Sequence, residues 1–267
     1  MKRFILFALP AVFLLFVACE TVPVTGRQQL HLVPTEEINA ESAKEYHAFL
    51  RKHRVSNNQE ETQMVRRVGT DIEHAVERYL SLAHQSSRLS GYRWEFNLFQ
   101  SKQVNAWCMP GGKVGVYTGI MPIAKDDAGL AVVMGHEIAH AVANHGDERI
   151  SQELLAQLGG TALSEALGGT SEATQQIVMQ AYGVGAEVGA LLPYSRLQET
   201  EADHMGLIFM ALAGYNPNRA LEFWHDMERA NKGPQPPEIL STHPVDSERI
   251  KNIRNFLPEA MKYYTGK

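Results

Sequence analysis

Apolar and polar residues alternate at helical spacing over two long stretches, about Thr35 to Arg54 and Glu60 to Ala83, which predict two helices. Tyr92-Arg93-Trp94-Glu95-Phe96-Asn97-Leu98-Phe99 alternates with period two and is rich in aromatic residues, as a half-buried strand is. Val104 to Met109 and Lys113 to Thr118 are short apolar runs on either side of Pro110-Gly111-Gly112, a pattern for a hairpin or a sharply bent strand. From Asp126 onward the pattern is almost wholly helical, and Asp126-Asp127 can cap a helix whose apolar face is Leu130, Val133, Met134 and Ile138. The fold class expected from this order is α+β, mainly helical, with one small β-sheet.

The first eighteen residues follow none of these periods. Met1-Lys2-Arg3 is a basic start and Phe4 to Ala18 is an apolar run of fifteen residues, short of the ~20 that a helix needs to cross a bilayer. This reads as an export signal. The run ends Phe16-Val17-Ala18-Cys19, which resembles a bacterial lipobox, so Cys19 is the expected lipidation site and membrane anchor. Glu20, which is not Asp, follows it, and by analogy with Gram-negative lipoproteins that favours the outer membrane over the inner one. Residues 19–34, punctuated by Pro23 and Gly26, are expected to form an extended tether, and residues 35–267 a single domain.

Over all 267 residues, 25 Lys and Arg face 30 Asp and Glu, giving a formal charge of −5; losing Lys2 and Arg3 with the signal makes it −7. A chain this acidic has no electrostatic footprint for nucleic acid. With Cys19 lipidated, Cys108 has no partner left in the chain for a disulfide, and it reads as a buried apolar residue rather than a nucleophile.

The chemistry begins on the helix after Asp126, at His136-Glu137-Ile138-Ala139-His140. Histidines at i and i+4 share a helix face and can reach one tetrahedral ion, with Glu137 beside its open position. Catalytic zinc takes three protein ligands, so one more is required. Position 146 is Gly146, which excludes the metzincin arrangement. Tyr194 to Asp203 offers Glu199 and Glu201, about 200° apart around a helix. Glu199 has Asp203 at i+4 on its own face, able to accept from the far nitrogen of a metal-bound His, whereas Glu201 has Met205 there. Glu199 is therefore the expected third ligand. His145 reads as structural.

Taken with Pro23-Val24-Thr25-Gly26-Arg27-Gln28, Asn105-Ala106, Pro110-Gly111-Gly112 and Ser241-Thr242-His243-Pro244 followed by Arg249, these motifs resemble family M48 of zinc metallopeptidases, which includes HtpX and the CAAX prenyl endopeptidases, and its periplasmic lipoprotein branch. The resemblance implies a gluzincin fold in which one helix carries both His, a second carries Glu199, and a strand at the edge of a small sheet binds substrate. It implies one Zn2+ per chain on His136, His140 and Glu199, with Glu137 as general base. Asp203 either orients a zinc-bound His or donates a proton. His243 either donates to the oxyanion or fills a fourth metal position, with Arg249 supporting either role or lying on the surface. Asn105 is expected beside the substrate. If Lys113-Val114-Gly115-Val116-Tyr117 lies beside the cleft, extended polypeptides can add to it.

The implied activity is endopeptidase cleavage of unfolded or misassembled envelope and outer-membrane proteins from the bacterial periplasm. The alternative is an assembly factor or chaperone that uses the zinc site structurally or for regulation. Residues 145–194, with Gly159-Gly160 and Gly168-Gly169, suit either a mobile lid over the cleft or close helix packing.

Overall fold

A computed structural model describes residues 19–152, 195–234 and 236–266. Residues 1–18, on which the expected export signal falls, and residues 153–194, which hold most of the glycine-rich stretch, lie outside the described residues.

The chain opens with β1 (Cys19–Thr21) and β2 (Gln28–Leu30), an antiparallel pair joined through residues 22–27. This differs from the extended tether expected of these residues. Val22 is fully buried and Arg27 reaches buried carboxylates on two later elements, so the segment is seated against the body. Two long helices follow, α1 (Thr35–Lys52) and α2 (Gln59–Leu82), within two residues of the expected ends. Asn58 caps α2 by accepting from the Glu61 backbone N–H, and Val65, Val68, Ile72, Val76 and Leu80 bury the stripe that the sequence pattern drew.

The sheet has three strands, β3 (Glu95–Phe99), β4 (Ala106–Met109) and β5 (Lys113–Tyr117), in the order β3-β5-β4. β4 and β5 form the expected hairpin, from Ala106 opposite Val116 to Met109 opposite Lys113. Gly111 and Gly112 turn it at φ +80° and +82°, a region that suits glycine. β3 runs parallel to β5. The expectation that Lys113–Tyr117 lies at the sheet edge is therefore corrected: β5 is central, paired on both sides and buried along its length. The edge strand that flanks the active helix is β4.

α3 (Asp127–Val142) carries the His-Glu-Ile-Ala-His motif. Its cap is as expected, Asp126 Oδ1 accepting from Gly129 N at 2.7 Å. Its burial is wider than the four-residue face read from the pattern, because every residue from Gly129 to Val142 is buried. α2, β4 and two later helices surround it, so it forms the centre of the core rather than one face of it. α4 (Arg196–Leu212) opens with a capping box of Ser195 and Gln198 and crosses α3. The crossing is close because two glycines meet there: a Cβ on Gly206 would lie 3.0 Å from Gly135 C and His136 N. α5 (Arg219–Asn231) and α6 (Ser247–Ala260) complete the helical half, with the segment holding His243 between them.

Candidate metal centre

Four side chains converge where α3, α4 and the loop before α6 meet: His136, His140, Glu199 and His243, all buried. One potential ligand atom of each lies within 4.8 Å of all the others. His136 Nε2 is 3.1 Å from His140 Nε2 and 3.2 Å from His243 Nδ1. Glu199 Oε1 is 3.3 Å from His140 Nε2 and 2.8 Å from His243 Nδ1. A tetrahedral ion with bonds of 2.0–2.1 Å spaces its ligand atoms about 3.3 Å apart, and these four separations, from 2.8 to 3.3 Å, lie near that value. The donor set fits the ion as well as the spacing does, since three imidazoles and a carboxylate are ligands zinc accepts.

The helix crossing explains the convergence. Gly135 and Gly206 bring α4 within backbone contact of α3 one residue before His136, which lets Glu199 and Asp203 reach the two histidines. Glu199, not Glu201, stands in the cluster, as the face argument expects.

Asp203 Oδ1 is 3.0 Å from His136 Nδ1, the nitrogen turned away from the cluster. Arg249, buried rather than on the surface, grips the same carboxylate with Nε at 2.8 Å and Nη2 at 2.9 Å. Its Nη1 is 2.6 Å from Glu199 Oε2, close enough to pair charges though not aligned as a hydrogen bond. The same nitrogen donates to the backbone oxygens of His243 and Pro244, so Arg249 ties the His243 loop to α4. The Trp224 ring lies 3.9 Å below the guanidinium.

Electrostatics follow from this packing. Burial opposes ionisation of Glu199, yet Arg249, His243 and His136 hold its carboxyl well below the usual range. Burial also opposes the charge on Asp203, and Arg249 and His136 outweigh it. Burial drives His140 well down, toward the neutral ring that a metal binds. Glu137 behaves oppositely to Glu199: burial raises it, with Glu199 adding, and His243, His136 and Arg249 do not outweigh this. Its Oε1 is buried without a hydrogen-bond partner and lies 3.5 Å from His243 Nε2.

Asn105, expected beside the substrate, is not among the four residues of the cluster. Asn105 is buried at the start of β4 with Oδ1 accepting from Ala106 N at 2.9 Å, a contact that shapes the strand end. Cys108, expected to be buried, is half-buried on β4 and packs against the core, and burial of its thiol pushes the pKa well up.

One contact was invisible in the sequence. Asn144 adopts a left-handed conformation (φ +56°) after α3 and turns the chain into a second helical stretch, 145–152. This brings His145 back under the metal helix, where its Nδ1 is 3.0 Å from His140 Nδ1 and its Nε2 is 3.2 Å from Glu201 Oε2. His145 thus contacts the outer nitrogen of His140, and Glu201 has a buried set of partners of its own. The only local signal was the run of polar residues Asn144, His145, Asp147 and Glu148 immediately after an apolar helix.

Residues 69–257 match the model of peptidase family M48. The chain belongs to that family. M48 peptidases use zinc, and the four-residue cluster is where this M48 chain can hold it. Among curated relatives, the mitochondrial metalloendopeptidase OMA1 of Schizosaccharomyces pombe is 36% identical over 186 residues, 69% of this chain and 53% of that protein. Mitochondrial metalloendopeptidase OMA1 of Bos taurus is 29% identical over 262 residues, 96% of this chain and 49% of its own length. The beta-barrel assembly-enhancing protease of Escherichia coli is 26% identical over 178 residues, 61% of this chain and 34% of that protein. The chain thus spans about half, or less, of the length of these relatives.

Proposed function

We propose that this M48 chain is a zinc metalloendopeptidase acting on extended segments of unfolded or misassembled proteins of the bacterial envelope, including those of the outer membrane. The observation that carries the reading is Glu137: a buried carboxylate of raised pKa, one oxygen without a hydrogen-bond partner, beside a cluster with spacing near that of a zinc tetrahedron.

His136, His140 and Glu199 would hold a zinc ion, whose Lewis acidity would activate water and polarise a scissile carbonyl. Glu137 takes a proton from the attacking water on its free Oε1 and passes it to the leaving amine. Asp203 holds the His136 ring by its outer nitrogen, and Arg249 keeps Asp203 ionised while anchoring the loop that presents His243. His243 stands 2.8 Å from Glu199 and 3.5 Å from Glu137, where it could either serve as a further metal ligand or donate to the oxyanion of the substrate.

Substrate selection follows from β4. Its outer edge has no strand partner among the described residues and it packs beside α3, so an extended peptide can pair with it through main-chain hydrogen bonds that accept many side chains. The envelope location rests on the export pattern before Cys19, with Cys19 as a lipid anchor, and is supported by likeness to the beta-barrel assembly-enhancing protease. No helix among the described residues is long and apolar enough to cross a membrane.

Glu137→Gln keeps the size of the side chain, leaves the metal ligands His136, His140 and Glu199 in place and removes the base. The variant is expected to bind one zinc per chain by metal analysis and to lose casein cleavage by 10²-fold or more. Retained turnover refutes the peptidase reading. If the variant still supports assembly of outer-membrane proteins in cells, the chain also works as an assembly factor independent of cleavage.

A further inference from the structure

The N-terminal hairpin closes on the metal helices through one guanidinium. Arg27 bridges two buried carboxylates, with Nη1 and Nη2 on Glu148 at 2.6 and 2.7 Å and Nε and Nη2 on Glu201 at 2.9 Å each. Thr25 Oγ1 donates to Glu201 Oε1 at 2.7 Å. Glu201 Oε2 faces His145 Nε2, and His145 Nδ1 faces His140 Nδ1. On the far side of the His140 ring, Nε2 points into the metal cluster.

These contacts fix where the protons sit. Nε2 of His140 must offer its lone pair to a metal, so the ring's proton is on Nδ1. His145 Nδ1 therefore accepts, and His145 carries its own proton on Nε2, donating to Glu201. Glu201 takes hydrogen bonds from His145, Arg27 and Thr25 on its two oxygens. Each link then has one donor and one acceptor.

We propose that Arg27, assisted by Thr25, is a positioning residue for the metal ligand His140, acting through Glu201 and His145. The two histidines of the motif are thus held by different means. His136 meets its carboxylate, Asp203, directly and within the α3–α4 pair. His140 meets a neutral ring first and a carboxylate second, and the cation that fixes this carboxylate comes from a hairpin more than a hundred residues earlier in the chain. Seating of the hairpin and metal affinity are coupled through this path. Outer contacts of this kind are typically worth about 10–100-fold in metal affinity.

The inference rests on His140 being a metal ligand, and the experiment separates the two. Zinc affinity of the full chain is measured by competition with a chromophoric chelator for the wild type and for His140→Ala, Arg27→Ala, Thr25→Val and Arg88→Ala, with thermal unfolding of each metal-free protein alongside. Arg88 holds the same hairpin by its other end, donating to the backbone oxygens of Thr21 and Val142, and has no contact with Glu201 or His145. An unchanged affinity in His140→Ala refutes the ligand assignment itself. With that assignment standing, Arg27→Ala is expected to bind zinc about 10–100-fold more weakly. Thr25→Val, which removes one hydroxyl at constant shape, should weaken binding about 5-fold, the worth of one hydrogen bond. Arg88→Ala should lower the unfolding temperature and leave zinc affinity within about twofold. The proposal is overturned if Arg27→Ala stays within twofold of wild type, or if Arg88→Ala weakens zinc as much as Arg27→Ala does. Should Arg27→Ala fail to fold, Thr25→Val decides alone, and an unchanged affinity overturns the proposal.

Discussion

The crossing of α3 and α4 gives a demanding test, because it assigns a metal-site function to a residue with no side chain. In Gly206→Ala the new methyl would lie 3.0 Å from Gly135 C, 3.0 Å from His136 N and 3.1 Å from Gly135 O. All three are backbone atoms of a buried helix, so no rotamer change relieves them. Ordinary contact begins near 3.4 Å, so the helices must part by about 0.4 Å at this point. Asp203 is three residues away on the same helix, and its 3.0 Å contact with His136 would stretch toward 3.4 Å, beyond a good hydrogen bond. Overpacking costs about 1–3 kcal/mol, and the higher helix propensity of Ala returns about 1 kcal/mol. The net loss of stability is then only about 0–2 kcal/mol, while zinc affinity falls about 10-fold through Asp203 and Glu199. Chelator competition and denaturant unfolding of the metal-free protein measure the two effects separately. Gly135→Ala, with one contact at 3.1 Å and the others at 3.5 Å or beyond, should show the same change in milder form. A Gly206→Ala protein that is more stable and binds zinc as tightly as wild type would refute the reasoning.

Three further changes probe other parts of the molecule. Asp203→Asn keeps the shape but weakens both the grip on the His136 ring and the pairing with Arg249, so zinc affinity should drop about 10–100-fold by the same competition assay. Asp147 is buried, and burial, with Glu20 adding and Arg88 opposing, pushes its pKa up to about 7 from 3.8. The unfolded chain releases that proton near pH 4 and the folded one near pH 7, so the group's contribution to stability falls as pH rises between those values, by up to about 4 kcal/mol. Asp147→Asn should therefore be more stable than wild type at pH 8 and nearly equal to it at pH 4, as read by denaturant unfolding at both. Asp126→Ala removes the acceptor for Gly129 N and should cost about 1 kcal/mol of stability, with zinc affinity unchanged because the cap lies at the far end of α3.

Most secondary structure was legible because it is locally encoded. Asn58, Asp126, Ser195 and Asp246 each stand one residue before a helix and accept a backbone hydrogen bond there, and Pro110-Gly111-Gly112 turns the hairpin. The strand expected to begin at Tyr92 begins at Glu95, and Lys113–Tyr117 proved central. Sheet order depends on which strand β3 chooses across a connection, and a short apolar run carries no record of that choice. Likewise, burial of α3 on every side could not be drawn from a four-residue apolar face, since Ala and Gly suit exposed and enclosed positions alike.

What the sequence by itself determined is the metal chemistry: the i, i+4 histidines with their adjacent acid, and Glu199 over Glu201, because helical geometry places Asp203 on one face and Met205 on the other. Only the tertiary structure decided what holds that chemistry in place. The glycine pair that lets α4 touch α3, the Arg249 clamp on Asp203 and Glu199, and the path from Arg27 through Glu201 and His145 to His140 all join residues far apart in the chain. Ligand spacing within a helix is fixed by backbone dihedrals that each residue sets locally, whereas the orientation of those ligands depends on distant groups that meet only when the core closes.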